Sequence, residues 1–133
     1  MTRSTRSRRV AEFAAPHLLG DEHVVAAGPV WAAFVPRSAR LLFRGRHLRW
    51  LVLTERRLLM FDHRRRRRDL LLAKSLNGLR LERSRTAGPL LQVLIDGGVD
   101  RLLVLEFPRR DRAFGHAVVL AVSTGADWQP AER

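Results

Sequence analysis

The side chains able to do acid–base or metal chemistry are few in this chain and poorly spaced for it. Its histidines are His17, His23, His47, His63 and His116. His17 and His23 flank Asp21 and Glu22, a grouping that invites a metal reading. A metal needs side chains converging at about 2 Å, and this set straddles an expected helix–strand corner, so scattered surface histidines are the better reading. Cysteine is absent, which removes disulfides, thiolate metal sites and a cysteine nucleophile together. The carboxylates fall mostly in expected turns, and none pairs at a spacing suited to acid–base work. There is no Gly-x-Ser-x-Gly elbow, no phosphate loop ending in Gly-Lys-Ser/Thr and no His-Glu-x-x-His. The expectation is a protein that is not an enzyme and carries no cofactor and no metal.

Arginine is the residue type left to carry function. Against 13 acidic residues stand 25 basic ones, for a formal net charge of +12. That balance favours a polyanionic partner, either nucleic acid or an anionic membrane surface. Only Lys74 among the basic residues is lysine. Such a skew usually follows codon composition, so the placement of the arginines weighs more than their number. The first nine residues hold Arg3, Arg6, Arg8 and Arg9; Pro36 to Arg46 holds Arg37, Arg40, Arg44 and Arg46. Arg64, Arg65, Arg66, Arg67 and Arg68 form an unbroken run, and Arg85, with Arg83 at its border, lies in Ser84 to Pro89.

The elements that must position these groups follow from hydrophobic spacing. A chain of 133 residues is one domain, and 46% hydrophobic residues supply its core. Residues 1–9 read as a disordered basic tail, 10–122 as the domain and 123–133 as a polar tail. Val10–Leu19 suits a short helix that Pro16 ends or kinks. Short apolar runs between turn signals then mark a small all-β unit. The strands are expected over Glu22–Val35, bent at Gly28-Pro29, His47–Thr54, Arg57–Asp62, Asp69–Ser75, Gly78–Arg83, Leu90–Ile95 and Arg101–Phe107. Asn77-Gly78 reads as a hairpin turn between the fourth and fifth of them. After Pro108, Ala113, Phe114, Ala117, Val118 and Ala121 recur at helical spacing, giving a helix over Arg109–Val122. The first nine residues lead into no uninterrupted apolar core of the signal-peptide kind. The late apolar segment Ala113–Ala126 is broken by His116 and falls short of the roughly 20 residues a spanning helix needs. The chain is therefore expected to be soluble and cytoplasmic, at most peripheral to the inner face of the membrane.

Connectivity turns the arginines into a site. In an up-and-down meander, alternate connections emerge at the same end. The first–second, third–fourth and fifth–sixth connections would then share one rim, bringing Arg37, Arg40, Arg44 and Arg46 beside the run Arg64–Arg68 and beside Arg85. Crowded like charges cost stability unless something offsets them, and an anionic ligand would do so. The plain alternative is a solvated loop, since charge runs are common. Leu41-Leu42-Phe43 lies between Arg40 and Arg44. Either Leu42 and Phe43 form an apolar tip that enters a headgroup region, or these residues begin the second strand and pack inward.

The string Leu53-Thr54-Glu55-Arg56-Arg57-Leu58-Leu59-Met60-Phe61 resembles the strand–turn–strand signature of bacterial pleckstrin-homology-like domains, which often carry a leu-thr-asp-arg-arg-leu segment there. Leu19-Gly20-Asp21-Glu22-His23-Val24 is similar to the pro-gly-glu-x-val lead into their first strand. The resemblance covers roughly residues 18 to 122. It implies a mainly β fold, a seven-stranded antiparallel bent barrel capped by a C-terminal helix, and a lipid- or protein-binding role without catalysis. Arg44-Gly45-Arg46 also resembles the basic-x-basic step of the family's phosphoinositide-binding loop. A lysine precedes that step in the family, where here only Arg37 or Arg40 can serve, and the family's helix tryptophan is missing between Arg109 and Val122.

Other partners compete with an anionic lipid surface. Single-strand binders usually set aromatic platforms beside basic grooves. Here aromatics are 7%, tyrosine is absent, and Trp31 and Trp50 fall in expected strands, where tryptophan is more often core. Nucleic acid therefore remains as a backbone-only partner. An acidic protein, or a second copy of the chain pairing through sheet edges, is the third class.

Overall fold

The computed structural model describes residues 5–36, 46–63, 69–96 and 101–127. Helix α1 (Thr5–Ala14) is followed by a single 3-10 turn at Ala15–His17. The strands are β1 (Val24–Pro36), β2 (His47–Thr54), β3 (Arg57–Asp62), β4 (Leu70–Ser75), β5 (Arg80–Ala87), β6 (Leu90–Asp96) and β7 (Arg101–Phe107), and helix α2 (Arg112–Asp127) closes the chain. They form one seven-stranded sheet in the order β4-β3-β2-β1-β7-β6-β5, every pair antiparallel.

Period-two patterning explains why these runs became strands. In β1, Val30 and Ala32 face inward, as do Leu51 and Leu53 in β2, Leu58 and Met60 in β3, Val93 and Ile95 in β6, and Leu103, Leu105 and Phe107 in β7. The α2 residues Val118 and Val122 seal this core, with Phe114, Ala117 and Ala121 packed beside them. Gly115 lets α2 approach, because a Cβ there would lie 2.7 Å from Leu91 and 2.9 Å from the Phe107 ring.

The outer face of β1–β3 has its own core. Val10 and Ala14 of α1 are fully buried against Ala27, Trp50, Val52, Leu59 and Phe61. Phe13 meets Trp50 and Phe61 edge-on, at 6.3 and 5.1 Å between centroids. Pro29 sits in β1 opposite Trp50, before pairing with β7 begins at Trp31. There β1 is locally an edge, where a missing N–H is tolerated.

Four expectations need correction. The N-terminal helix lies over Thr5–Ala14 rather than Val10–Leu19, so that it takes in Thr5–Arg9 of the expected tail, and Pro16 tightens the chain into a 3-10 turn instead of continuing the helix. The C-terminal helix begins at Arg112, after a 3-10 turn at Arg109–Asp111, and runs past Val122 to Asp127. The fifth strand runs over Arg80–Ala87, not Gly78–Arg83. It is an edge strand, so Ser84, Arg85 and Thr86 face solvent without penalty, and Gly88 at φ +61 closes its hairpin with β6. Asn77-Gly78 does not close a hairpin: Leu76–Gly78 is a 3-10 turn, and β4 and β5 are the two edges of the sheet. Buried Leu76 and Leu79 pack into the core at that corner.

Candidate functional site

The residues that carry the sequence resemblance form one clamp. Thr54 Oγ1 accepts the N–H groups of Arg56 and Arg57, at 3.1 and 2.8 Å, and so closes the β2–β3 turn. The same hydroxyl donates to Glu22 Oε2 at 2.6 Å. Arg57 reaches Glu22 with two donors, Nε to Oε2 at 2.9 Å and Nη2 to Oε1 at 2.7 Å, and Nη2 also donates to the His17 carbonyl at 2.8 Å. The Leu19 N–H donates to Glu22 Oε1 at 3.0 Å. These contacts, led by the Arg57 pairing, hold the Glu22 carboxyl down at about 2 although its burial works the other way. Around this pair, Arg56 donates to Asp21 at 2.7 Å and Glu55 accepts the His23 N–H at 2.9 Å. His23 Nδ1 also lies 3.2 Å from Glu55 Oε2. The motif is a structural lock between the lead into β1 and the β2–β3 turn. Within it, the acids and histidines that sequence spacing set side by side pair with other residues.

Two of the basic connections leave the sheet together. Phe61 pairs with Leu70, the Asp62 N–H donates to the Asp69 carbonyl at 2.9 Å, and Arg49 of β2 pairs with Asp62. The β1–β2 and β3–β4 connections therefore emerge at the same end of the sheet. Arg37, Arg40, Leu42, Phe43, Arg44 and Arg64, Arg65, Arg66, Arg67 and Arg68 lie outside the described residues. The third expected member is elsewhere. Pro36 pairs with Arg101, so it is the β6–β7 connection that adjoins the end of β1. The β5–β6 turn lies at the far end of β7, where Leu91 pairs with Phe107. The seven residues of β7, at about 3.3 Å each, separate the two by about 20 Å. A strict seven-strand meander would set first and last strands parallel. Here β1 and β7 are antiparallel because the alternation breaks once, at the unpaired β4–β5 corner.

Arg46 and Arg85 are nonetheless joined, on the outer face of the sheet. Trp31, Glu106, Gln92 and Arg85 are consecutive cross-strand partners over β1, β7, β6 and β5. Glu106, 6% exposed, accepts from Arg46 Nη1 through Oε1 and from Gln92 Nε2 through Oε2 at 3.1 Å. Gln92, 3% exposed, accepts from Arg85 Nε at 3.0 Å. The Arg46 guanidinium stands 5.6 Å from the centroid of the Trp31 ring. Trp31 is 39% exposed, whereas Trp50 is core as expected. Sequence reading missed Glu106 and Gln92. Their signal was one polar residue flanked on both sides by apolar ones in each strand, Gln92 in β6 and Glu106 in β7.

At the opposite end from Arg46, an apolar groove of about 770 Å³ runs between α2 and the β2–β3 turn, lined by Val25, Leu53, Leu76, Ala117, Leu120 and Ala121 among others. Among the described residues no group of three or more histidines and acids is placed to hold a metal ion. No described helix is long and apolar enough to cross a membrane.

No protein-family pattern matches the chain, and no curated protein does. Solved structures do. One describes the PH and C1 domains of the Vav1 exchange factor: it is 17% identical, with a TM-score of 0.50, over 72% of this chain and 24% of that one. Another, of Vav1 inhibited by an allosteric inhibitor, is 16% identical, with a TM-score of 0.58, over 86% of this chain and 32% of that one. The chain thus spans about a quarter to a third of these relatives, and the likeness establishes a PH-like fold.

Proposed function

We propose that this chain is a non-catalytic, PH-like binding module that presents its basic connections, residues 37–46 and 64–68, to acidic lipid headgroups on the cytoplasmic face of a membrane. The observation that carries the reading is the register that brings these two connections out at one end of the sheet. Arg37, Arg40 and Arg44 from one connection and Arg64 to Arg68 from the other supply the positive field, and Leu42 and Phe43 supply an apolar tip. Arg46 acts at the root of the first connection, held by Glu106. Arg85 is not part of this rim. Co-sedimentation with vesicles tests the reading. Retention on phosphatidylserine- or phosphoinositide-containing vesicles, lost on neutral ones and weakened by salt, is the expected result. Equal retention on neutral vesicles, or none on anionic ones, overturns it.

A further inference from the structure

Two buried polar side chains in the middle of a sheet face require an explanation. An uncompensated buried carboxylate or amide is costly, and the neighbours of Glu106 and Gln92 on that face, Val35, Leu94 and Val104, form an apolar cluster. A pair of apolar residues would serve the sheet as well. What Glu106 and Gln92 add is orientation. Their hydrogen-bonded row fixes Arg46 by one Nη and Arg85 by Nε, and leaves Arg85 both of its Nη groups for an anion. Arg83, opposite Leu94, lies on the same face and is exposed. So do Trp31, 39% exposed with the Arg46 guanidinium over its ring, and α1, which packs on this face further along and carries exposed Arg8 and Arg9.

We propose that this outer face of β1, β7, β6 and β5 is a binding surface for single-stranded nucleic acid. Trp31 and the Arg46 guanidinium over its ring are the stacking platform, since bases stack on guanidinium planes as they do on aromatic rings. Arg83 and Arg85 take backbone phosphates. Platform and phosphate contacts are three strand spacings apart, about 14 Å, with the buried Glu106 and Gln92 between them. A duplex keeps its bases stacked and gains nothing from Trp31.

The test is fluorescence anisotropy of a labelled oligothymidylate strand against the full chain, with quenching of tryptophan emission as a second readout. Trp31→Ala weakens binding by about ten-fold without changing its salt dependence, and Trp31→Phe recovers most of the loss. Arg85→Ala weakens binding and lowers the salt slope by about one phosphate contact. Absence of oligothymidylate binding, or binding that Trp31→Ala and Arg85→Ala leave intact, overturns the proposal. So does a Trp31→Ala defect that shows only on anionic vesicles, which would make the face a membrane contact. The rim reading fails separately, on vesicle binding and on substitutions at Arg44 and Arg66.

Discussion

The buried carboxylate of Glu22 is held by Arg57 through two parallel hydrogen bonds, 2.9 and 2.7 Å long, between residues 35 positions apart. This bidentate pair ties the lead into β1 to the β2–β3 turn, and Thr54 and Leu19 satisfy its remaining capacity. Removing one partner of such a pair leaves a buried charge alone. Glu22→Ala should therefore lower unfolding free energy by about 3–5 kcal/mol in urea titration. The double variant Glu22→Leu/Arg57→Leu should recover much of that loss.

The same pair sets the response to acid. The folded carboxyl titrates at about 2, against 4.5 for the ordinary group. A lowered folded value means that the unfolded chain binds the proton more readily. The pair's contribution of about 3 kcal/mol is thus complete above pH 4.5 and fades as pH falls towards 2. Urea midpoints measured between pH 7 and pH 2 should show this decline, and Glu22→Gln should remove that part of it.

Gly115 is required by packing. A methyl there meets Leu91 and the fully buried Phe107 ring at under 3 Å. Gly115→Ala should cost about 1–3 kcal/mol through overpacking, more than the ~1 kcal/mol alanine adds to helix propensity. Gly78→Ala, which meets nothing within 4 Å, should change stability by less than about 0.5 kcal/mol. Thermal unfolding of both variants checks the contrast.

The Arg46–Glu106–Gln92–Arg85 row gives a stability prediction independent of any ligand. Glu106→Ala strands the buried Gln92 amide, while the half-exposed Arg46 turns to water, and should destabilise by about 1–3 kcal/mol. Glu106→Leu with Gln92→Leu should restore most of it, because the surrounding face is apolar. Thermal unfolding measures both, and emission from Trp31 should shift in each as Arg46 leaves its ring.

At the rim, Phe43→Ser separates the two readings of Leu41-Leu42-Phe43. If the segment enters the headgroup region, anionic-vesicle binding falls while the melting temperature barely moves. A stability loss of about 3 kcal/mol or more instead marks Phe43 as core.

Strands β2, β3 and β7 were legible to the residue, as His47–Thr54, Arg57–Asp62 and Arg101–Phe107, because short apolar runs between turn signals mark a buried strand. Strand placement marked Trp50 as core, but it marked Trp31 in the same way, and Trp31 is exposed. Long-range pairing was not legible. Thr54 and Arg57 read only as the facing ends of two strands until Glu22 came within reach, and Arg85 read as a loop cation until Gln92 stood opposite it. Local pattern says which residues face inward, but not which strands become neighbours. Packing Leu76 and Leu79 into the core at the β4–β5 corner kept those strands apart and let β1 close on β7 antiparallel. That one tertiary choice reversed the direction of every later strand relative to a simple meander, moving Arg85 from the basic rim to the outer face of the sheet.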